Sequence, residues 1–211
     1  MAAMELLTRL PAFLVAIVAM AAVPGPAFAL IVRRSSVGGL RAGAPVGLGI
    51  EAGLYVWIIA AGAGLAALVA TSHLAYVVLR VVSASVLLWI GGRFLLAARH
   101  DRPEQVRQLP GRSGRGGFAM GAITNLANPK AAVFTFALYP QFIPHGYPPL
   151  ATTAGLGLIQ VTVETGLYLG LAAAVGRAGR WFSGRRVRRT LDALCGSVLV
   201  TLGLRVAGDG A

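Results

Sequence analysis

The sequence predicts an all-α membrane protein of six transmembrane helices, built as two inverted-topology three-helix repeats. Helices one and four are expected to break at Pro-Gly-Pro and Asn-Pro-Lys. Three observations lead there. The 211 residues are 56% hydrophobic and only 12% charged, against about 25% charged in an average soluble domain. Six apolar runs of bilayer-spanning length alternate with short connections. Two short strings in the first half recur, in order, in the second.

The spans read as 5–32, 42–70, 74–98, 118–143, 150–175 and 190–207. The domain division is a first repeat over 1–98, a basic cytoplasmic linker over 99–117 and a second repeat over 118–211. In the first span, 11–23 has the look of a signal-peptide apolar region, and Ala27-Phe28-Ala29 resembles a cleavage site. Glu5 beside Arg9 leaves that leader without net positive charge, so a retained first helix is expected.

Connections set the orientation. Arg33, Arg34 and Arg41 follow span one. Arg99, Arg102, Arg107, Arg112 and Arg115 follow span three, against Asp101 and Glu104. Arg177, Arg180, Arg185, Arg186, Arg188 and Arg189 follow span five. The other two connections, Thr71-Ser72-His73 and 144–149, hold no Lys or Arg. All basic loops therefore share one face, which the positive-inside rule makes cytoplasmic, with both termini outside. The location expected is a cell (inner) membrane. The net charge of +12 is thus a topology signal, and no basic face with interleaved aromatics supports nucleic-acid binding.

The repeat is read from EAGLY at 51–55 against ETGLY at 164–168, and from SVLLWIGGR at 85–93 against SVLVTLGLR at 197–205. Spans two and five, then three and six, correspond. Spans one and four then pair through their proline breaks. Three spans is an odd number, so the halves enter from opposite sides, as in many secondary transporters.

The breaks carry the chemistry. Pro129 lacks an N–H, crowds the carbonyl of Asn125 and pushes Asn128 out of the α region. Freed backbone groups cost several kcal/mol in lipid unless they are satisfied or face a cavity. The carboxamides of Asn125 and Asn128, with the hydroxyl of Thr124, are placed to supply bonds. Pro24-Gly25-Pro26 interrupts span one in the same way. A half-helix starts after each break, so its first N–H groups, near Ala27–Phe28 and Ala131–Ala132, form a seat for an anion such as a carboxylate.

Lys130 falls halfway along span four, and a charge at the bilayer centre costs at least about 2.5–3.5 kcal/mol. It must face a polar interior. Glu51 and Glu164 lie at comparable depth, with Tyr55 and Tyr168 one helical turn further on the same faces. Two carboxylates against one ammonium leave a charge for a substrate ammonium or a proton to balance. These residues make the substrate site, with Glu51 and Glu164 as the proton-coupling pair; a static ion pair beside a protonated glutamate is the bland alternative. Arg80 and Arg93 are read as snorkelling to the interfaces, and Asp192 as the repeat counterpart of Arg80.

Gly43/Gly47, Gly49/Gly53 and Gly166/Gly170 have the spacing of close helix packing, within the subunit or across a homodimer. Cys195 stands alone, and His73, His100 and His145 are far apart, so no cofactor or metal site is expected.

Two stretches carry a family likeness. PGPAFALIVRRSSVGGLRAGAPVGLGIEAG, from Pro24, resembles the first signature of the LysE/RhtB family of amino-acid exporters. GAITNLANPKAAVFTFALYPQFI, from Gly121, resembles the second and more specific one. The motif positions carried over are Pro24, Gly25, Pro26, Asn125, Asn128, Pro129, Lys130, Pro140 and Gln141. The resemblance implies efflux of amino acids or close derivatives, usually driven by protons. Family members often hold an acidic residue in the second span, which Glu51 fits; the duplicate at Glu164 is not a general family feature. The alternatives are cation or metal efflux, disfavoured by the lack of a His/Cys cluster, and a non-transporting scaffold. A thiol-redox enzyme is disfavoured by the single cysteine, so no enzyme activity is expected.

Overall fold

A computed structural model describes residues 2–23, 25–71, 114–144 and 146–182, with scattered positions between 78 and 96 and between 190 and 204. Pro24, Arg80, Arg93, Asp192, Cys195, the three histidines and most of the basic linker lie outside the described residues. So do most of spans three and six, whose described positions are helical. Among the described residues every regular element is helical.

The elements are α1 (Ala2–Ala22), α2 (Pro26–Thr71), α3 (Gly114–Leu126), α4 (Pro129–Leu138), a 3-10 turn (Tyr139–Gln141) and α5 (Pro149–Phe182). Among the described residues two stretches, Pro26–Ala67 and Pro149–Gly176, are long and apolar enough to cross a bilayer, and Thr8–Ala22 is a shorter apolar helix.

The first span ends later than its hydropathy indicates. After the break at 23–25 the helix runs on past Arg33 and Arg34 to a kink at Gly39, where φ is +60° and ψ is −154°. Only glycine adopts that conformation without strain. The expected loop around Arg33, Arg34 and Arg41 is therefore a one-residue turn between two helical arms. Polarity ends a span's stay in lipid, but it does not end a helix. The same holds at the other basic connections: α3 begins at Gly114, inside the predicted linker, and α5 continues through Arg177 and Arg180.

α2 is the hub, packing against α3 and α5 and touching α4. In a bilayer no hydrophobic effect drives helices together, so close approach must supply the attraction. Glycines permit it. A Cβ on Gly53 would meet the Ala122 carbonyl at 2.8 Å and Asn125 Cβ at 3.1 Å, and one on Gly121 would reach Ile50 N at 2.9 Å.

Two buried apolar clusters result among the described residues. One gathers Phe13, Ile17, Leu54, Ile58, Phe134, Leu138, Tyr139 and Phe142 from α1, α2, α4, the 3-10 turn and the residue that follows it. The Phe13 ring meets Tyr139 and Phe142 edge to face, with centroids 5.8 and 5.2 Å apart. Such pairs contribute about 0.5–1.5 kcal/mol each. The second cluster holds Ala21, Ala27, Leu30, Ile31, Val46, Ile50, Tyr168 and Ala172. Arg9 donates to the Gln141 carbonyl at 3.2 Å, tying α1 to the 3-10 turn.

Candidate functional site at the two helix breaks

The second break is closed by its own residues. Asn128 has extended backbone, φ −90° and ψ 104°, as a residue before proline must. Its side-chain oxygen accepts from the Lys130 N–H at 3.1 Å. Its carbonyl accepts from Ala131 and Ala132 at 3.1 and 3.3 Å. The anion seat expected from bare N–H groups at Ala131–Ala132 is thus occupied by the Asn128 cap, which satisfies the donors locally. Beyond this capped backbone, the break carries the Lys130 side chain.

The Asn125 carbonyl, deprived of a partner by Pro129, receives the Asn128 N–H at 2.9 Å and the Trp57 indole N–H at 3.4 Å. In return the Asn125 amide donates to the Ile50 carbonyl at 2.9 Å. Two residues of α2 therefore grip the break from one side. The indole ring also stands edge to face with Phe136, centroids 6.3 Å apart.

At the first break, Ala29 N–H bonds the Gly25 carbonyl at 2.8 Å, so helix restarts at once. Gly25 is buried and has no side chain, and Lys130 fills the space beside it. A Cβ on Gly25 would lie 3.5 Å from Lys130 Nζ. The break before α2 and the break before α4 thus meet, joined by the lysine of one and the glycine of the other.

A cavity opens at this junction, lined from α1 by Met20 and Ala21, from the first break by Gly25 and Ala27, and from the second by Asn125, Asn128 and Lys130. α5 adds Gln160, Glu164 and Tyr168. About 50 Å³ is open to water, room for roughly three to five water molecules. The lining draws on both apolar clusters, so the polar chamber sits at the seam between them.

Of the residues singled out in the sequence, Gly25, Ala27, Asn125, Asn128, Lys130, Glu164 and Tyr168 line this cavity. Pro26 is exposed at the start of α2 and Pro129 opens α4. Glu51 is 1% exposed. It is not in the cavity wall but interacts with Glu164, which in turn feels Lys130. Neither Glu51 oxygen has a well-formed hydrogen bond. Tyr55 is half-buried against the first cluster. The duplicated Glu/Tyr pairs are therefore unequal: Glu164 and Tyr168 face the chamber, and Glu51 stands behind.

Gln160 and Tyr139 were not anticipated. Tyr139 donates to Gln160 Oε1 at 2.8 Å, and Gln160 Nε2 donates to Glu164 Oε1 at 2.7 Å. The available signal was Gln160 itself, a carboxamide in mid-span one turn before Glu164. Tyr139 gave none, because its partner is set by the 3-10 turn.

Comparison with known proteins places the chain among transporters. The LysE type translocator family matches residues 18–210. A homoserine/homoserine lactone efflux protein of Salmonella typhimurium is 31% identical over 159 residues, covering 75% of this chain and 76% of the relative. Its counterpart in Salmonella typhi is 31% identical over 169 residues, covering 80% and 81%. An uncharacterized membrane protein of Vibrio cholerae is 29% identical over 161 residues, covering 76% and 77%. No solved structure matches the chain.

Proposed function

The chain belongs to the LysE type translocator family, and on that premise we propose that it exports an amino acid or close derivative across the cell (inner) membrane by proton antiport. As a translocator it moves its substrate rather than converting it. The observation that carries the reading is one small chamber bearing both an ammonium, Lys130, and a carboxylate, Glu164. A zwitterion is the ligand whose two charges that pair complements. Family relatives named for homoserine and homoserine lactone efflux put small hydroxylated amino acids and their esters first among substrates to try.

In this reading the substrate carboxylate docks at Lys130 and the start of the helix after Gly25, near Ala27. Its ammonium turns to Glu164. A proton arriving from outside on the Glu164–Glu51 pair cancels the charge that holds the ammonium, and the substrate leaves. The two three-helix halves, inverted with respect to each other, rock about the site. A chamber with room for a few waters also demands such motion, since an amino acid enters only when the walls part. Both termini then lie outside and the arginine-rich loops inside.

Counterflow in proteoliposomes with a panel of labelled amino acids, with and without a pH gradient, tests this. Saturable exchange of at least one zwitterionic amino acid, accelerated by the gradient, is expected. Exchange of none of them would end the export reading. Exchange indifferent to the gradient would end the antiport.

A further inference from the structure

We propose that Gln160 is a positioning residue for Glu164, itself set by Tyr139, so that the last turn of the broken fourth span controls the carboxylate of the substrate chamber. The inference rests on the export reading for its role in transport, but not for its geometry.

The chain of bonds is directional. Tyr139 O–H donates to Gln160 Oε1 and Gln160 Nε2–H donates to Glu164 Oε1. A carboxamide has one accepting and one donating end. With the hydroxyl occupying the oxygen, the NH₂ end must face the carboxylate. If the amide turned over while Glu164 is ionised, two oxygens would oppose each other there. Tyr139 and Gln160 are 1% and 2% exposed, so the Tyr139–Gln160 bond is shielded from bulk water, and the Gln160–Glu164 bond meets only the few waters the chamber can hold.

The geometry divides the work at Glu164. One oxygen is held by Gln160 from the same helix, one turn away. The group remains in the chamber wall for a ligand and within reach of Glu51. A hydrogen bond to a charged group is stronger than a neutral one, so Gln160, beside Lys130 and Glu51, constrains where the carboxylate points. Tyr139 belongs to the 3-10 turn that follows α4, the same turn that Arg9 ties to α1. Movement of that turn during transport therefore changes the anchor of Glu164 without any contact between the turn and the ligand.

Infrared difference spectra of the purified protein, recorded on a pH step, give a readout that needs no transport. The carboxyl band lost in Glu164→Gln identifies Glu164. That band is expected to shift in Gln160→Leu and in Tyr139→Phe. Tyr139→Phe removes a single oxygen and keeps the ring packing, so it serves if Gln160→Leu does not fold. An unmoved band in Tyr139→Phe overturns the proposal. In counterflow, Tyr139→Phe raises KM about tenfold with little change in kcat, and adds nothing in a Glu164→Gln background. A full additional loss in that background also overturns it. Absence of any wild-type flux sinks the export reading alone, because the spectra still decide this one.

Discussion

Lys130 reaches from the break before α4 to Gly25 in the break before α2, its Nζ 3.5 Å from where a Cβ on Gly25 would stand. That distance is ordinary van der Waals contact, so Gly25→Ala is expected to keep near-normal counterflow. Gly25→Leu sends a branched chain into the space the ammonium uses. It should lose flux about tenfold or more while still reaching the membrane. Lys130→Met should raise KM by a similar factor, since an ionic hydrogen bond is lost, and Lys130→Arg should retain part of the activity. Equal flux in Gly25→Leu and wild type would separate the glycine from the site.

Glu51 and Glu164 interact across α2 and α5 but have different surroundings. Glu164 faces the chamber and Glu51 is sealed behind it. The two neutral variants should therefore differ. Glu164→Gln is expected to weaken substrate affinity and abolish stimulation by an inward proton gradient. Glu51→Gln is expected to abolish the stimulation with a smaller effect on KM. Both should insert and purify as wild type. Gradient-driven export persisting in both would reject the pair as the coupling element.

Much of this arrangement was legible in the sequence. Pro-Gly-Pro and Asn-Pro-Lys in apolar runs announce breaks, because proline removes a donor that lipid cannot replace, whereas the single prolines Pro11 and Pro45 sit inside helices. Charges at mid-span announce a chamber. That is how Asn125, Asn128, Lys130 and Glu164 were found. Tyr139–Gln160 and Trp57–Asn125 were not legible, since each joins distant stretches through neutral groups with no charge imbalance to betray them. The Asn128 cap shows a further limit: asparagine before Pro-Lys fits both a bare anion seat and a self-satisfied terminus, and only geometry decides between them. Gly39 shows another, because hydropathy reports where lipid ends and not where a helix turns.

The clasp on the second break predicts a stability effect separable from transport. Trp57→Phe leaves the Asn125 carbonyl with the Asn128 N–H alone and should cost about 0.5–1.5 kcal/mol. Asn128→Ala removes the oxygen that accepts from Lys130 N–H and should cost about 1 kcal/mol. Both changes lower the melting temperature in detergent. An unchanged melt for Asn128→Ala would mean that the cap contributes nothing in the folded protein.

The glycines give the sharpest contrast, because one substitution tests two environments. A Cβ on Gly53 meets the Ala122 carbonyl at 2.8 Å, a backbone atom that cannot swing away. Gly170 has no described atom within 4 Å of its Cβ position. Gly53→Ala must push α2 off α3, at a cost of about 1–3 kcal/mol, and with it the Trp57 and Ile50 contacts that hold Asn125. Gly170→Ala adds a methyl where no described atom stands within 4 Å and gains helix propensity. Thermal melting of the two variants beside wild type is the measurement. Gly53→Ala is expected well below wild type and Gly170→Ala level with it or above. A fall confined to Gly170→Ala would show that the Gly170 face of α5, and not the α2–α3 contact, supplies the packing on which the folded protein depends.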